Sequence, residues 1–146
     1  MDNKPFIEEI KQKFAENIQE VIEHSPIRLT ITLNADMLPD MAYYFIVDKE
    51  FRFIIASALH TKKGFEIYYH FSNDDSGHVI NLHVVLPHEN PAIESLANLL
   101  SGAEWIEREM HELLGIDFKG HPNLVPLISE GNWPKGTYPF RKDFKS

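Results

Sequence analysis

The stretch that decides the fold is FRFIIASALHTKKGFEIYYHFSNDDSGHVINLHVVL, residues 51–86. Its three apolar runs, Phe51 to Leu59, Phe65 to Phe71 and Val79 to Leu86, are separated by Lys62-Lys63-Gly64 and by Asp74-Asp75-Ser76-Gly77, both strong turn chemistry. Connections this short predict an antiparallel meander, because a parallel crossover needs about a dozen residues or more. In the third run the alternation puts Ile80, Leu82, Val84 and Leu86 toward the core and Asn81 and His83 outward. The first run is apolar on both faces, which predicts a central strand.

Upstream, Phe6, Ile7, Ile10, Phe14, Ile18, Val21 and Ile22 recur at three- and four-residue steps and predict one amphipathic helix beginning near Pro5. Ile27, Leu29, Ile31 and Leu33 then alternate with polar residues, as in a strand with one buried face. Asp36 stands where it could cap a second helix, with Pro39 in the first turn and Leu38, Met41, Ala42, Phe45 and Ile46 inward. Downstream, Asn90-Pro91 predicts a short helix running to Leu99. A further helix is predicted over 102–114, with Ser101 and Glu104 at capping-box spacing, Trp105 in a staple with Leu100, and an apolar stripe of Ile106, Met110, Leu113 and Leu114. On this reading Trp105 is buried with the stripe, and Gly115 ends the helix in a left-handed conformation.

The expected fold class is therefore α+β: a two-layer domain with a mixed, largely antiparallel sheet, helices packed on it, and an extended Pro-rich C-terminal arm. A chain of 146 residues with 43% hydrophobic residues can fill a single core. Residues 1–116 are read as the body and 117–146 as the arm. The arm holds four of the nine prolines, at 122, 126, 134 and 139, and shows no periodicity. It also holds Phe118, Leu124, Leu127, Ile128, Trp133, Tyr138, Phe140 and Phe144, too many large apolar residues for a solvated tail. It is expected to dock on a partner, with wrapping of its own domain as the other outcome. A cut after Gly120 is then expected to leave the body folded.

Charge and composition exclude several functions. The chain carries −8 at neutral pH, with +2 on residues 117–146 and −10 on the rest, which argues against a nucleic-acid partner. With no cysteine it cannot build a thiolate zinc site, an iron–sulfur cluster or a cysteine nucleophile, so any redox centre must be borrowed. No apolar run approaches the roughly 20 residues needed to span a bilayer, and 1–13 has no signal-peptide core, which together predict a cytoplasmic protein. His111-Glu112 opens like a helical zinc motif, but Gly115 occupies the position of the second histidine, leaving only His121 as a substitute. His70, His83 and His88 are expected at the surface of strands. Glu107 and Glu109, two apart on a helix, face different ways and cannot share a substrate. No nucleophile elbow or phosphate-binding glycine loop is present.

The run Trp105-Ile106-Glu107-Arg108-Glu109-Met110-His111-Glu112-Leu113-Leu114-Gly115-Ile116-Asp117-Phe118-Lys119-Gly120-His121-Pro122-Asn123-Leu124 resembles the signature of the 30 kDa subunit of respiratory complex I, W-x-E-R-E-x-x-D-x-x-G-I-x-F-x-G-H-P-x-L. The resemblance continues at Pro139-Phe140-Arg141-Lys142-Asp143-Phe144, where that family, also known as the C subunit of NADH-quinone oxidoreductase, reads P-L-R-K-D-F or P-L-R-R-D-F. Two departures stand out: Val125-Pro126 where the family commonly has two arginines, and Glu112 for Asp. The tail Asn132-Trp133-Pro134-Lys135-Gly136-Thr137-Tyr138 looks closer to the homologous small subunits of energy-converting membrane-bound hydrogenases.

The resemblance implies a non-catalytic subunit of a complex I-like membrane-bound oxidoreductase, with no catalytic, cofactor or metal residues of its own. Its implied partners are the large hydrogenase-like, 49 kDa-type subunit and a neighbouring iron–sulfur subunit, on the inner face of the cell membrane, with membrane contact only through the complex. The motif and docking residues carried over are Trp105, Glu107, Arg108, Glu109, Gly115, Gly120, His121, Pro122, Trp133, Tyr138, Phe140, Arg141, Lys142, Asp143 and Phe144. The unlike alternative is a metal-dependent hydrolase or small-ligand-binding module built on the histidines.

Overall fold

The computed structural model describes residues 4–122 together with Tyr138 and Arg141. In chain order the elements are α1 (Lys4–Phe14), β1 (Ile18–Ser25), β2 (Arg28–Leu33), α2 (Leu38–Tyr43, continued as a wider helical turn to Asp48), β3 (Arg52–Thr61), β4 (Gly64–Ser72), β5 (Val79–Leu86), β6 (Ala92–Glu94), α3 (Ala103–Leu114) and β7 (Asp117–Lys119). Five strands form one sheet in the order β1-β2-β5-β4-β3, and β6 and β7 form a second, two-stranded sheet. The fold is mixed α+β. β1 pairs antiparallel with β2, β2 pairs parallel with β5, and the two short turns carry the chain back and forth through β3, β4 and β5 as a meander.

The residues group into two compact units. In the first, Met1–Ile54 with Tyr68–Val84, the inward faces of β2 and β5 match in register, Leu29 with Ile80 and Ile31 with Leu82, all four fully buried. The helical layer covers them through Leu38, Met41 and Phe45, and the Phe45 ring packs against Phe51 and Phe71 at centroid distances of 5.3 and 6.5 Å. Each such side chain removed from water contributes roughly 1.5–3 kcal/mol. In the second unit, Ile55–Ile67 with Val85–Ser146, the core is Phe65, Ile67, Ile93, Leu96, Met110, Leu114, Ile116 and Phe118. There β6, α3 and β7 make a small parallel β-α-β unit, Ile93 pairing with Phe118.

Several elements depart from the sequence reading. The N-terminal helix stops at Phe14, and Ile18–Ser25 is an edge strand. Val21 and Ile22 satisfy either period, and the antiparallel partner in Arg28–Leu33, reached through the Pro26-Ile27 turn, decides for the strand. Asp36 lies in a 3-10 turn before α2 and makes no side-chain cap. The short helix expected after Pro91 is instead β6, because β7 offers it a strand partner. Ser101 does not cap α3: the N-cap position is Gly102, without a side-chain bond, and the Ala103 amide bonds to the Leu100 carbonyl instead. Residues 117–119, read as the start of the arm, are β7, with Phe118 buried.

The first run of the meander is not central. β3 closes the sheet at its edge, with Ile55 and Leu59 about half exposed, while β4 is buried along nearly its whole length. Two of the polar side chains on β4 are bonded: the Thr61 hydroxyl donates to Glu66 Oε2 at 2.6 Å, and the His70 ring meets Asn81 Oδ1 at 2.6 Å.

Gly64 opens β4 with φ 137°, and a Cβ there would fall inside the contact distance of the Leu86 carbonyl oxygen. Gly64→Ala is expected to destabilise the chain by at least about 1–3 kcal/mol from backbone strain alone, read as a lowered melting temperature.

Candidate functional site

α3 gathers the two motifs. Its buried residues are Ala103, Glu107, Met110, Glu112, Leu113 and Leu114, so Met110, Leu113 and Leu114 of the predicted stripe are inside and the buried face is widened toward Glu107. Ile106 is half-buried, and Trp105 is 62% exposed with the Arg108 guanidinium 5.5 Å from its ring, against the burial expected for that tryptophan. The cause is Glu107, whose carboxylate is fully buried and accepts from the Ser95 hydroxyl at 2.5 Å and the Leu96 amide at 2.8 Å. Hydropathy alone reads a glutamate as outward; two donors waiting in the 95–96 loop turn it inward. Glu109, two residues on, is exposed, as the helical spacing requires.

Burial raises the Glu107 carboxyl above the ordinary glutamate range; the Leu96 amide, the Ser95 hydroxyl and the nearby His121 oppose that rise. The His121 side chain is itself fully buried, its Nε2 lying 3.0 Å from the Glu104 carbonyl and 3.9 Å from Glu107 Oε1. A ring nitrogen facing a carbonyl carries the hydrogen, so His121 Nε2 donates and is not free to bind a metal. His111 Nδ1 likewise donates to the Ile116 carbonyl at 2.9 Å. Each histidine of the helical pair considered for metal binding thus gives one ring nitrogen to a backbone carbonyl, and among the described residues no group of three or more possible metal ligands is clustered.

The other end of α3 receives the second motif. Gly115 ends the helix at φ 76°, its amide bonding back to the His111 carbonyl at 2.8 Å. Arg141 Nε donates to the Leu114 carbonyl at 2.6 Å, placing a cation where the helix dipole is negative. Its guanidinium also lies 4.6 Å from the Tyr138 ring and 5.1 Å from the Phe65 ring. A Cβ on Gly115 would meet the Arg141 guanidinium at 2.7 Å and the Tyr138 ring at 2.8 Å. This glycine is needed twice, for its backbone angle and for the space that seats the arginine.

The site residues named from sequence thus divide. Glu107, Gly115, His121, Tyr138 and Arg141 meet around α3, Gly120 closes the turn after β7, and Trp105, Glu109 and Pro122 face solvent. Trp133, Phe140, Lys142, Asp143 and Phe144, with the Val125-Pro126 departure, lie outside the described residues. Ser95, the Leu96 amide and Phe65 were not foreseen, because nothing in their local sequence marks them as partners. Nor was the placing of the histidines: His83 is buried, stacked on Tyr68 at 4.3 Å and bonded to Thr32 Oγ1 at 2.8 Å, not outward.

The mixed sheet and the helix that collects both motifs define the class: a small α+β subunit of the respiratory-complex type. The family model described as the respiratory-chain NADH dehydrogenase 30 kDa subunit matches residues 31–146, and the chain belongs to that family. It is 33% identical to the C subunit of the F(420)H(2) dehydrogenase of Methanosarcina mazei over 148 residues, covering 99% of this chain and 93% of that protein. It is 26% identical to the C subunit of the NADH-quinone oxidoreductase of Citrifermentans bemidjiense, covering 98% and 89%. Among solved structures, a chain of the membrane-bound sulfane sulfur reductase, an archaeal respiratory membrane complex, shares the fold at a TM-score of 0.84 and 24% identity, over 98% of this chain and 85% of that one. The trypsin-resistant fragment of Nqo5 shares it at 0.67 and 23%, over 85% and 100%. Among the described residues no helix is long and apolar enough to cross a membrane.

Two variants test this site. Gly115→Ala is expected to cost about 1–2 kcal/mol from the left-handed backbone alone and to displace Arg141, visible as a lowered melting temperature. For Glu107 the folded carboxyl titrates above its unfolded value, so its linkage contribution to stability is full in acid and is lost as pH rises through the raised value. The stability of the native chain relative to Glu107→Gln is therefore expected to be most favourable at low pH and to decline toward neutrality in denaturant titrations.

Proposed function

We propose that the chain is a non-catalytic peripheral-arm subunit of a complex I-like membrane-bound oxidoreductase, seated on the inner face of the cell membrane. It holds the large hydrogenase-like subunit and a neighbouring iron–sulfur subunit, and residues beyond Pro122 supply its docking arm. The observation that carries this reading is the use made of the motif residues: Glu107, His121 and Arg141 all bond to backbone or hydroxyl groups of their own chain. They are spent on building a rigid helix platform rather than on a substrate. Trp105 and Glu109 remain outward on that platform, and Trp133, Phe140 and Phe144 are residue types that concentrate interface energy. With no cysteine in the chain, the redox centres belong to the partners. The names of the two relatives favour a dehydrogenase as parent complex over the hydrogenase type suggested by 132–138.

Arg141 and Tyr138 bind the end of α3, so a cut after Gly120 removes contacts of the body itself and cannot isolate the arm's role. The cleaner test is the paired variant Trp133→Ser/Phe144→Ser, expressed with the whole complex. It is expected to lose the large subunit on affinity purification while its unfolding free energy changes by no more than a surface substitution gives, about 0.5 kcal/mol. A large drop in melting temperature with the complex intact would mean that the segment wraps its own body.

A further inference from the structure

The outer side of β3 is the strongest unexplained surface. β3 is the last strand of its sheet, so among the described residues its outer row of N–H and C=O groups has no strand partner. Exposed edges are normally blunted by lysine, proline or a bulge, since they invite another chain to pair. Residues 55–61, Ile-Ala-Ser-Ala-Leu-His-Thr, contain no lysine and no proline, and they expose Ile55 at 51% and Leu59 at 44%. Beside this edge lies a groove of about 290 Å³ lined by Ile55, Ala56, Ser57 and Ala58 on the strand and by Ile106, Glu109, Met110, Leu113 and Leu114 on α3. The three small residues in mid-strand lower its floor, while the helix supplies an apolar wall at three- and four-residue steps.

We infer that the edge of β3 and this groove receive an extended apolar segment of a partner subunit, added as a strand and carrying a basic residue near its end. The inference rests on the reading of the chain as part of a larger complex and gives it a second attachment point. A strand at the edge of a sheet selects an extended chain, because main-chain hydrogen bonds supply the affinity and alternate side chains fill the groove. Glu109 is the charged residue among those lining the groove and is exposed, so the occupant's complementary charge is positive. A second copy of this chain is the poorer occupant, since it brings another −8 and another Glu109 to the same contact.

The test uses the full chain in its intact, affinity-purified complex, with a photo-reactive benzophenone side chain at Ser57. The expected product is a cross-link to an apolar stretch of another subunit next to lysine or arginine, with amides of 55–61 exchanging at least tenfold more slowly in the complex than in the free chain. Ile55→Lys/Leu59→Lys, both at exposed positions, is expected to keep the melting temperature and lower partner retention at least tenfold. A cross-link to a second copy, or to residues 123–146 of the same chain, would overturn the inference. So would a chain that co-purifies with its complex while Ser57 stays unlinked, an outcome that leaves the functional reading standing. If the chain purifies with no oxidoreductase subunit, both fall.

Discussion

A carboxylate buried without charge neutralisation is costly, and the second unit is arranged around one. Glu107 is tolerated inside because Ser95 and the Leu96 amide point donors at it and the His121 ring lies beside it. Those bonds set the rotation of α3, and the rotation sets everything that follows from it. With Glu107 turned inward, Trp105 must turn out, Met110 and Leu114 reach the core, and the helix ends with its last carbonyls where Arg141 can bond them. The same carboxylate ties the 95–96 loop to the helix, which holds β6 against β7.

The motif thus has two jobs in two directions. Its inward members act as fasteners between segments distant in the chain: Glu107 to the loop at 95–96, His121 to the first turn of α3, Arg141 to the last. Its outward members, Trp105 and Glu109, stand on the same helix that these bonds join to its neighbouring segments.

The legible part of the fold was the part that depends on near neighbours. The meander was readable because two turns of unambiguous chemistry separate three strongly apolar runs, and the alternation of Ile80, Leu82, Val84 and Leu86 survives in their burial. The Gly115 helix end was readable because one residue type suits one backbone angle. What failed was decided at a distance. β1 and β6 are strands because β2 and β7 are there to pair with them, and Ile22 or Ala92 carries no trace of that. The inward turn of Glu107 and the burial of His83 depend on donors and rings supplied by other strands and loops. At the site, the sequence motif could not say which of its residues serve the chain's own packing, as Glu107, His121 and Arg141 do.

The position of β5 in the sheet has a consequence for synthesis. β5 lies between β2 and β4, and its residue His83 pairs with Thr32 of β2, 51 residues earlier in the chain. A nascent chain that has reached the end of β4 therefore holds two apolar strands whose inner edges both await a segment still inside the ribosome. Non-local pairing of this kind slows folding, because the loop must close before the contacts reward it. Until β5 arrives, those open edges can pair with the wrong chain as readily as with the right one. Substitutions that weaken β5 are therefore expected to act through yield more than through the finished assembly.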